Sequence, residues 1–370
     1  MWFRYAHNVA DHGGPIMFVR HAEHIVGAKS NPSTSLPPEM SPVRVALDAM
    51  GGDNAPEVIV EGALRVRSSE ISPTLYGPQD LLGDLIDDLD FVHAPAVVQM
   101  DEKPADAARE KRDSSLFAAC RAVSEGNADV AVSAGNTGAM LAAGVLEIGR
   151  LPGVMRPALA VPIHGRKGPF VLLDAGANAD ARPEHLVQFA HMGTLFAEEI
   201  VGIPNPQVGL LSIGEEPEKG NRLTQEAHAL LVEDERIPFV GNVESRLLLE
   251  RAADVVVTDG FVGNMALKLL EGTIRTTQDV LRDEIASTWL GKIGGLLIQP
   301  AARRIKRRFD PEIHGGAYLL GLRGLVVVAH GNSSSSAIVN AVELASRGVR
   351  ARVVERMEER LAEDVPISNA

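Results

Sequence analysis

The sequence has little cysteine, with one such residue, Cys120, among 370. A single thiol excludes a disulfide framework and any metal site built from several cysteines of this chain. A reducing cytoplasm is therefore the expected location. Cys120 lies in the apolar segment FAACRAV, and because a small thiol behaves as a hydrophobic side chain, we expect it in the core.

Long apolar runs and an excess of positive charge are also missing. No stretch of about 18 consecutive apolar residues occurs, so no membrane-spanning helix is predicted. The net charge of −13, from 36 basic and 49 acidic side chains, argues against nucleic-acid binding, which needs a basic surface. Residues 292–308 differ from the rest of the chain in being positively charged, with six basic and no acidic side chains. The basic residues are Lys292, Arg303, Arg304, Lys306, Arg307 and Arg308.

Three common catalytic and nucleotide-binding motifs are missing as well. No G-x-G occurs, so the dinucleotide-binding fingerprint is absent, and neither a G-x-x-x-x-G-K-[ST] phosphate loop nor a G-x-S-x-G nucleophile elbow is present. If the chain binds phosphate, it does so without a standard nucleotide motif.

Residues 1–40 show no sustained periodicity and end in a Ser/Pro/Thr-rich run. This pattern predicts a disordered N-terminal extension, and no signal peptide is expected in it. The spacing of His21 and His24 is compatible with a metal ligand pair but is weak evidence for one.

From residue 41 onward, short β-branched runs alternate with helical patterns, as in βα units. Many strands are continuous apolar runs, which indicates a parallel sheet covered on both faces. The predicted class is α/β, with a doubly wound, mostly parallel sheet. Strands are predicted at 43–48, 97–100, 129–134, 159–163, 170–174, 208–213, 239–243, 254–258 and 325–330, and helices at 56–68, 105–124, 137–148, 183–200, 222–233, 262–285 and 334–346.

Polar residues and glycines follow seven of these strands, where ligands bind in open α/β sheets. The segments are DAMGGDN (48–54), SAGNTG (133–138), DAGAN (174–178), IGEEPEKGN (213–221), GNVE (241–244), TDGFVGN (258–264) and AHGNSS (329–334). Gly, Asn and Asp are ordinary turn formers in any one loop, but seven such loops together favour a binding cleft. The segment 133–138, which leads into a helix, has the character of an oxyanion site.

These loops resemble one family over nearly all of residues 43–350, the bacterial phosphate acyltransferases of the PlsX type. The motifs that carry the resemblance are VALDAMGGDNAPE (45–57), SAGNTGA (133–139), RPALA (156–160), LLDAGAN (172–178), GLLSIGEEPEKGN (209–221), GNVESR (241–246), DVVVTDGFVGNMALKLLEG (254–272) and GGAYLLGLRGLVVVAHGNSS (315–334). Asn54 departs from the family pattern, in which a histidine is common, and residues 1–40 have no counterpart.

The resemblance implies a reaction in which a fatty acyl group moves from acyl carrier protein (ACP) to inorganic phosphate. The acyl phosphate would then feed a membrane glycerol-3-phosphate acyltransferase in phospholipid synthesis. It further implies a homodimer and a fold similar to phosphotransacetylase and the isocitrate/isopropylmalate dehydrogenases. No cofactor is implied, and we expect no metal requirement.

Such a transfer needs a held phosphate, a donor to the developing oxyanion and help for the departing thiol. We expect the loop from Gly135 to Gly138 to hold phosphate and Lys219 to supply positive charge, unless Lys219 is only a solvated loop lysine. Asn264 is the candidate donor to the thioester oxygen. His330 is the candidate proton donor to the thiol, or else a hydrogen-bonded residue at a strand end. Other candidate binding residues are Asp48, Gly51, Gly52, Ser133, Asn136, Thr137, Asp174, Asn178, Asn221, Asn242, Asp259 and Gly260.

The segment before the last glycine-rich loop combines apolar residues with the basic cluster. This pattern is typical of a membrane interface or of a surface for an acidic partner such as ACP. A helical hairpin that packs against a second subunit is an equal alternative. The apolar residues of the segment include Leu290, Ile293 and Ile298. The candidate contact residues are Trp289, Leu296, Leu297, Arg303, Arg304, Arg307 and Arg308.

The predicted organisation is an extension over 1–40, a catalytic domain over 41–350 with a partner-facing helical segment near 262–314, and a C-terminal helix and tail over 351–370. Three other functions stay open. They are a phosphotransacetylase that uses acetyl-CoA, a decarboxylating dehydrogenase that would need NAD(P) and a divalent metal, and a non-catalytic protein that binds lipid surfaces.

Overall fold

The computed structural model describes residues 41–364 apart from positions 87 and 310. The predicted extension over 1–40, with His21 and His24, lies outside the described residues, as does the end of the predicted C-terminal tail.

Within the described residues, eleven strands form one sheet. They are β1 (Val43–Asp48), β2 (Ile71–Gly77), β3 (Asp90–His93), β4 (Val130–Ser133), β5 (Ala158–Gly165), β6 (Gly168–Leu173), β7 (Val208–Ser212), β8 (Phe239–Glu244), β9 (Val255–Val257), β10 (Ala317–Leu320) and β11 (Leu325–Val328). Their order across the sheet is β3-β2-β1-β4-β11-β10-β5-β6-β9-β7-β8.

The sheet consists of two parallel blocks that run in opposite directions. Strands β3, β2, β1, β4 and β11 form one block, and β6, β9, β7 and β8 form the other. Strands β10 and β5 join them through three antiparallel pairings. This arrangement confirms the predicted α/β class with a mostly parallel sheet.

One row of paired residues crosses the middle of the sheet, and strands of both blocks end at it. The row contains Leu47, Val132, Val327, Tyr318, Ala160, Leu173 and Val257. Strands β1, β4 and β11 end one residue beyond the row, whereas β6 and β9 end on it. The loops that follow the two blocks therefore leave the sheet near its centre, where β10 and β5 cross.

Helices cover both faces. They are α1 (Glu57–Val66), α2 (Gln79–Leu82), α3 (Pro104–Glu110), α4 (Ser115–Ser124), α5 (Thr137–Ala143), α6 (Pro183–Phe196), α7 (Arg222–Glu233), α8 (Gly260–Ala286), α9 (Trp289–Phe309), α10 (Pro311–His314), α11 (Ser335–Arg350) and α12 (Val353–Asp364). Apolar side chains of α1, α6, α7, α11 and α12 form the core on one face. Those of α4, α5 and α8 pack on the other, together with the buried Cys120.

Several sequence predictions differ from the structure. The predicted strand at 97–100 is wrong, because the carbonyl oxygen of Val97 accepts a hydrogen bond from Lys111 Nζ at 2.9 Å and no neighbouring strand pairs with this segment in the described sheet. The predicted helix over 105–124 is two helices, α3 and α4, which are separated by residues 111–114. Strands β2, β3 and β10 were not predicted; β2 contains Pro73, and β10 is only four residues long.

Candidate active site

A cavity of about 400 Å³ lies over β5 and β10, on the face of the sheet that α5 and α8 cover. Its walls come from the loops that follow β4 and β6, the end of β11, the start of α5, and from α8 and α9. The polar lining residues are Asn136, Thr137, His164, Asn264, Lys268, Glu271, Arg308 and His330, and the apolar ones include Leu159, Val161, Ile163, Leu267, Leu270, Ile274, Phe309 and Val328.

Asp48 fixes the loops that follow β1 and β4. Its Oδ2 accepts a hydrogen bond from Ser133 Oγ at 2.7 Å, and its Oδ1 accepts one from Met50 N at 3.2 Å. Ser133 Oγ in turn accepts from Gly135 N at 2.9 Å. Burial raises the pKa of Asp48, and the hydroxyl and amide donors act against that rise. A Cβ on Gly51 would lie 2.7 Å from Asp48 Oδ2, so only glycine allows this approach.

Asp174 fixes the loop that follows β6. Its Oδ1 accepts hydrogen bonds from the amides of Leu159, Gly176 and Ala177, and its Oδ2 accepts from Asn178 N and Nδ2, all at 2.7–3.1 Å. Asn178 Nδ2 also donates to Pro157 O at 2.7 Å. Asp174 and Asn178 are both buried and hold this wall of the cavity in place.

The N-terminus of α8 rests on the Asp174 loop. Asp259 caps the helix by accepting hydrogen bonds from Phe261 N and Val262 N at 3.0 and 2.9 Å, and Gly260 N donates to Asn178 O at 2.7 Å. A Cβ on Gly263 would lie 1.9 Å from Asp174 O. This close approach places the next residue, Asn264, at the cavity wall beside Gly176.

One face of α8 carries three polar groups into the cavity, namely Asn264, Lys268 and Glu271. Their spacing of four and then three residues brings them onto one side of a helix. The sequence motifs indicated Asn264 but not Lys268 or Glu271. The spacing from Asn264 along the predicted helix was a signal that could have found them.

His330 follows β11 and faces α8. Its Nε2 lies 3.3 Å from Oε1 of Glu271, with the side chains 43% and 24% exposed. The hydrogen bond to Glu271 raises the pKa of His330, because the carboxylate favours the charged imidazolium. The imidazole is therefore held at the cavity by a partner from the opposite wall.

Asn136 and Thr137 reach the cavity at the start of α5. The side chain of Asn136 is already engaged, since Oδ1 accepts from Ala139 N at 3.0 Å and Nδ2 donates to Met100 O and Glu102 O at 3.0 and 2.9 Å. Asn136 thus caps α5 and fixes the neighbouring loop. Because Ala139 N is taken by the Asn136 cap, the donors that α5 can offer a ligand here are the amides of Thr137 and Gly138, which have no acceptor within the helix, and the Thr137 hydroxyl.

The floor of the cavity is apolar along β5. Leu159, Val161 and Ile163 line it, as alternate residues that share one face of the strand. At the far end, Arg308 Nη2 donates to the carbonyl oxygens of Gly165 and Arg166, both at 2.6 Å. Burial and the nearby Arg308 charge lower the pKa of His164, which favours a neutral ring.

Lys219, Asn221 and Asn242 are not among the residues that line this cavity. Lys219 is exposed, in the loop that follows β7. Asn221 caps α7, with Oδ1 accepting from Thr224 N at 2.9 Å, and Asn242 Nδ2 donates to Glu216 O at 2.8 Å. The seven polar loops therefore do not line one cavity, because β7 and β8 lie at the edge of the sheet, away from β5 and β10.

Helices α8 and α9 form a hairpin with large apolar side chains at its surface. Trp289, Leu296 and Leu297 are 70–79% exposed, and α9 has no buried residue in the described chain. Arg303, Arg304 and Arg307 are exposed on α9, whereas Arg308 is tied to the turn between β5 and β6. None of the described helices is long and apolar enough to cross a bilayer.

The described residues contain no group of three or more His, Cys, Asp or Glu side chains arranged to hold a metal ion. The cations at the cavity are instead Lys268 and Arg308, with His330 beside Glu271. This donor set is suited to an anionic ligand.

Comparisons with known proteins identify relatives of this chain in sequence and in fold. A family model described as fatty acid synthesis protein matches residues 43–356. A phosphate acyltransferase of Desulforudis audaxviator (strain MP104C) is 47% identical over 318 residues, covering 84% of this chain and 94% of that protein. One of Staphylococcus aureus (strain MRSA252) is 42% identical over 325 residues, covering 87% and 99%.

Two solved structures share the fold. A phosphotransacetylase from Streptococcus pyogenes aligns with a TM-score of 0.55 and 18% identity, covering 85% of this chain and 94% of that one. The EutD phosphotransacetylase from Staphylococcus aureus aligns with a TM-score of 0.52 and 16% identity, covering 83% of this chain and 94% of that one. The predicted likeness to the phosphotransacetylase fold is confirmed.

Proposed function

The chain belongs to the phosphate acyltransferase family, and we propose on that premise that it transfers a fatty acyl group from ACP to inorganic phosphate. The products are acyl phosphate and holo-ACP, and the acyl phosphate serves phospholipid synthesis.

The observation that best supports this function is the amphipathic character of the cavity. Leu159, Val161 and Ile163 offer an apolar floor for an acyl chain, while Lys268 and the first turn of α5 offer positive charge and N–H donors. Both kinds of surface belong to one cavity. A reaction that joins a fatty acyl thioester and inorganic phosphate requires that combination.

In this proposal phosphate binds at the first turn of α5, close to the charge of Lys268, and Asn264 donates to the thioester oxygen. Phosphate is already an anion at neutral pH, so it needs no strong base. Holding it against the carbonyl carbon contributes about 7–11 kcal/mol by making the attack effectively unimolecular. One oxyanion donor adds about 3 kcal/mol. His330 supplies the proton that the departing thiolate takes up.

Lys219 is still proposed as a second source of positive charge, although it is exposed outside the cavity. Lys219→Ala is expected to lower kcat/KM for phosphate, and Lys167→Ala, in the turn between β5 and β6, is the control. Wild-type turnover by Lys219→Ala would remove this residue from the mechanism. Lys268→Ala is expected to have the larger effect, because Lys268 lines the cavity.

For carrier recognition we propose the hairpin of α8 and α9, within a catalytic domain over residues 41–350. Its arginines suit the acidic ACP, and its exposed apolar residues suit a lipid surface to which acyl phosphate is passed. The glycerol-3-phosphate acyltransferase in that membrane would receive it.

A homodimer is also proposed, and sedimentation velocity tests it, with twice the chain mass expected.

A phosphotransacetylase that uses acetyl-CoA is the second candidate, since two such enzymes share the fold. The apolar floor argues for a longer acyl chain.

Lysine, arginine and amide donors also suit the proposed reaction without a metal, and EDTA is expected to leave the rate unchanged.

Release of holo-ACP from long-chain acyl-ACP, with and without phosphate, tests the proposal. Acetyl-CoA and long-chain acyl-CoA are run in parallel, and hydroxylamine traps the acyl phosphate. Phosphate-dependent release from acyl-ACP alone is expected. Activity only with a CoA thioester would favour the phosphotransacetylase. No activity with any thioester would overturn both, leaving a dehydrogenase, for which NAD(P) absorbance is the assay, or a lipid-binding protein.

A further inference from the structure

The pair of His330 and Glu271 joins two walls of the cavity. His330 stands at the end of β11, in the first strand block, and Glu271 stands on α8, which follows β9 of the second block. Both side chains line the cavity, with 3.3 Å between His330 Nε2 and Glu271 Oε1. Glu271 contacts the ring at Nε2, so a ligand would meet the ring at its other nitrogen, Nδ1.

Other charged groups face the same imidazole. Lys268 of α8 opposes its protonation, whereas Glu312 of α10 favours it. Next to the ring, the Asp53 amide of the loop after β1 donates to the carbonyl oxygen of Gly331 at 2.7 Å. Glu312 Oε2 accepts a hydrogen bond from Ser334 Oγ at 2.8 Å, and Glu312 acts on His330 through its charge. Glu271 is the carboxylate that hydrogen-bonds the ring.

We propose that Glu271 is a positioning residue that holds His330 in the cavity so that the imidazolium protonates the departing thiol. The inference rests on the proposed acyl transfer. A carboxylate on one ring nitrogen fixes the ring orientation and its tautomer and stabilises the charged form, and it leaves the other nitrogen for the substrate.

The step balances in atoms and charge. A phosphate dianion oxygen forms a bond to the thioester carbon, the carbon–sulfur bond breaks with its electron pair on sulfur, and His330 gives its proton to that sulfur. Acyl phosphate, the carrier thiol and neutral His330 result, and solvent restores the proton. Without the donor, the leaving group is a thiolate and the step is slower.

The pH profile of kcat/KM for acyl-ACP distinguishes positioning from a structural role. Because phosphate titrates near neutrality, the readout is the ratio of variant to wild type at each pH. Glu271→Gln lowers the pKa of His330, so this ratio is expected to fall about tenfold or more between pH 6 and pH 8. Glu271→Asp should restore part of the loss at pH 8. Glu233→Gln, exposed at the end of α7 and outside both the cavity and the hairpin, is the control and should give a flat ratio near one.

A double-mutant cycle asks whether Glu271 acts through His330. His330→Gln is expected to lower kcat/KM by about 100-fold, and adding Glu271→Gln to it should cost less than about twofold more. A flat ratio for Glu271→Gln, multiplied losses in the double variant or a fully active His330→Gln would each overturn the inference. Failure of the wild type to release holo-ACP with phosphate would instead overturn the proposed function.

Discussion

Two buried aspartates occupy equivalent places in the two strand blocks. Asp48 and Asp174 each follow a leucine of the central row and precede an alanine. Each carboxylate then receives hydrogen bonds from the loop that leaves its block. The sequence could indicate that these acids orient donors, cap helices or hold a metal. The sequence does not distinguish these three roles, because they depend on the directions of the loop amides, and only the folded backbone determines those directions.

Asp174→Asn is expected to destabilise the protein by about 3 kcal/mol. The carboxylate accepts hydrogen bonds from five N–H donors, and the substitution replaces one of its two oxygens by an NH₂ group, which is a donor. Urea unfolding measures this change. Asp180→Asn, exposed in the same loop, is the control and should change the free energy of unfolding by less than about 0.5 kcal/mol. Equal stability of both variants would contradict the anchoring role.

Among the elements, α8 does most to form the cavity, and its position depends on small residues at its N-terminus. Gly263→Ala is expected to lower both kcat and the free energy of unfolding, by about 3 kcal/mol for the latter, since the added methyl would meet a backbone oxygen.

Gly272 supplies the matched control for that substitution. It lies on the same helix with nothing within 4 Å of an added Cβ, so Gly272→Ala should stabilise the protein by about 0.5–1 kcal/mol through helix propensity alone. Thermal and urea unfolding of the two variants give the comparison. A stable, active Gly263→Ala would show that α8 can shift without consequence.

The hairpin of α8 and α9 yields a prediction about partners. Arg303→Glu, Arg304→Glu and Arg307→Glu together should raise the KM for acyl-ACP and weaken binding to anionic vesicles, because both partners are acidic. Leu296→Ser with Leu297→Ser should weaken vesicle binding and leave the KM for acyl-ACP nearly unchanged.

The control for the hairpin changes the same charge elsewhere. Arg109, Arg222 and Arg352 are 72%, 90% and 67% exposed on other parts of the chain, and their replacement by Glu should alter neither property beyond a small salt-dependent effect. If the hairpin arginines prove no different from this control, the contact surface lies elsewhere, and an interface with a second subunit becomes the better explanation.

Sequence patterns predicted most elements that carry their own periodicity. Helix α7 and strand β1 begin and end at the predicted residues. The helix predicted over 262–285 agrees with α8 (Gly260–Ala286) to within two residues at each end. Strand β10 escaped because four apolar residues without alternation do not specify a strand, and its place depends on β5 and β11 beside it. Lys268 and Glu271 were missed although their helical spacing from Asn264 could have indicated them, because the sequence does not show that this face of α8 lies across a cavity from β5.

At the scale of the whole molecule, His330 and Glu271 link the two blocks. The pKa of His330 is raised by this contact, so the stabilisation is full below the unfolded value of about 6.5 and is lost as pH rises through the folded value. The Tm of wild type should therefore exceed that of Glu271→Gln at pH 6, and the difference should vanish at about pH 9. Glu233→Gln should match wild type throughout. A difference that grew with pH would contradict the link.

The order of strands also bears on how the chain can reach its native state. Strand β11 pairs with β4 and, through β10, with β5, although roughly 200 residues of chain separate β4 from β11. During synthesis, the edge of β4 that pairs with β11 and the edge of β5 that pairs with β10 stay unpaired until residues near 330 have left the ribosome. The sheet therefore closes late, and until then those edges are the surfaces that a chaperone has to cover and at which newly made chains would aggregate.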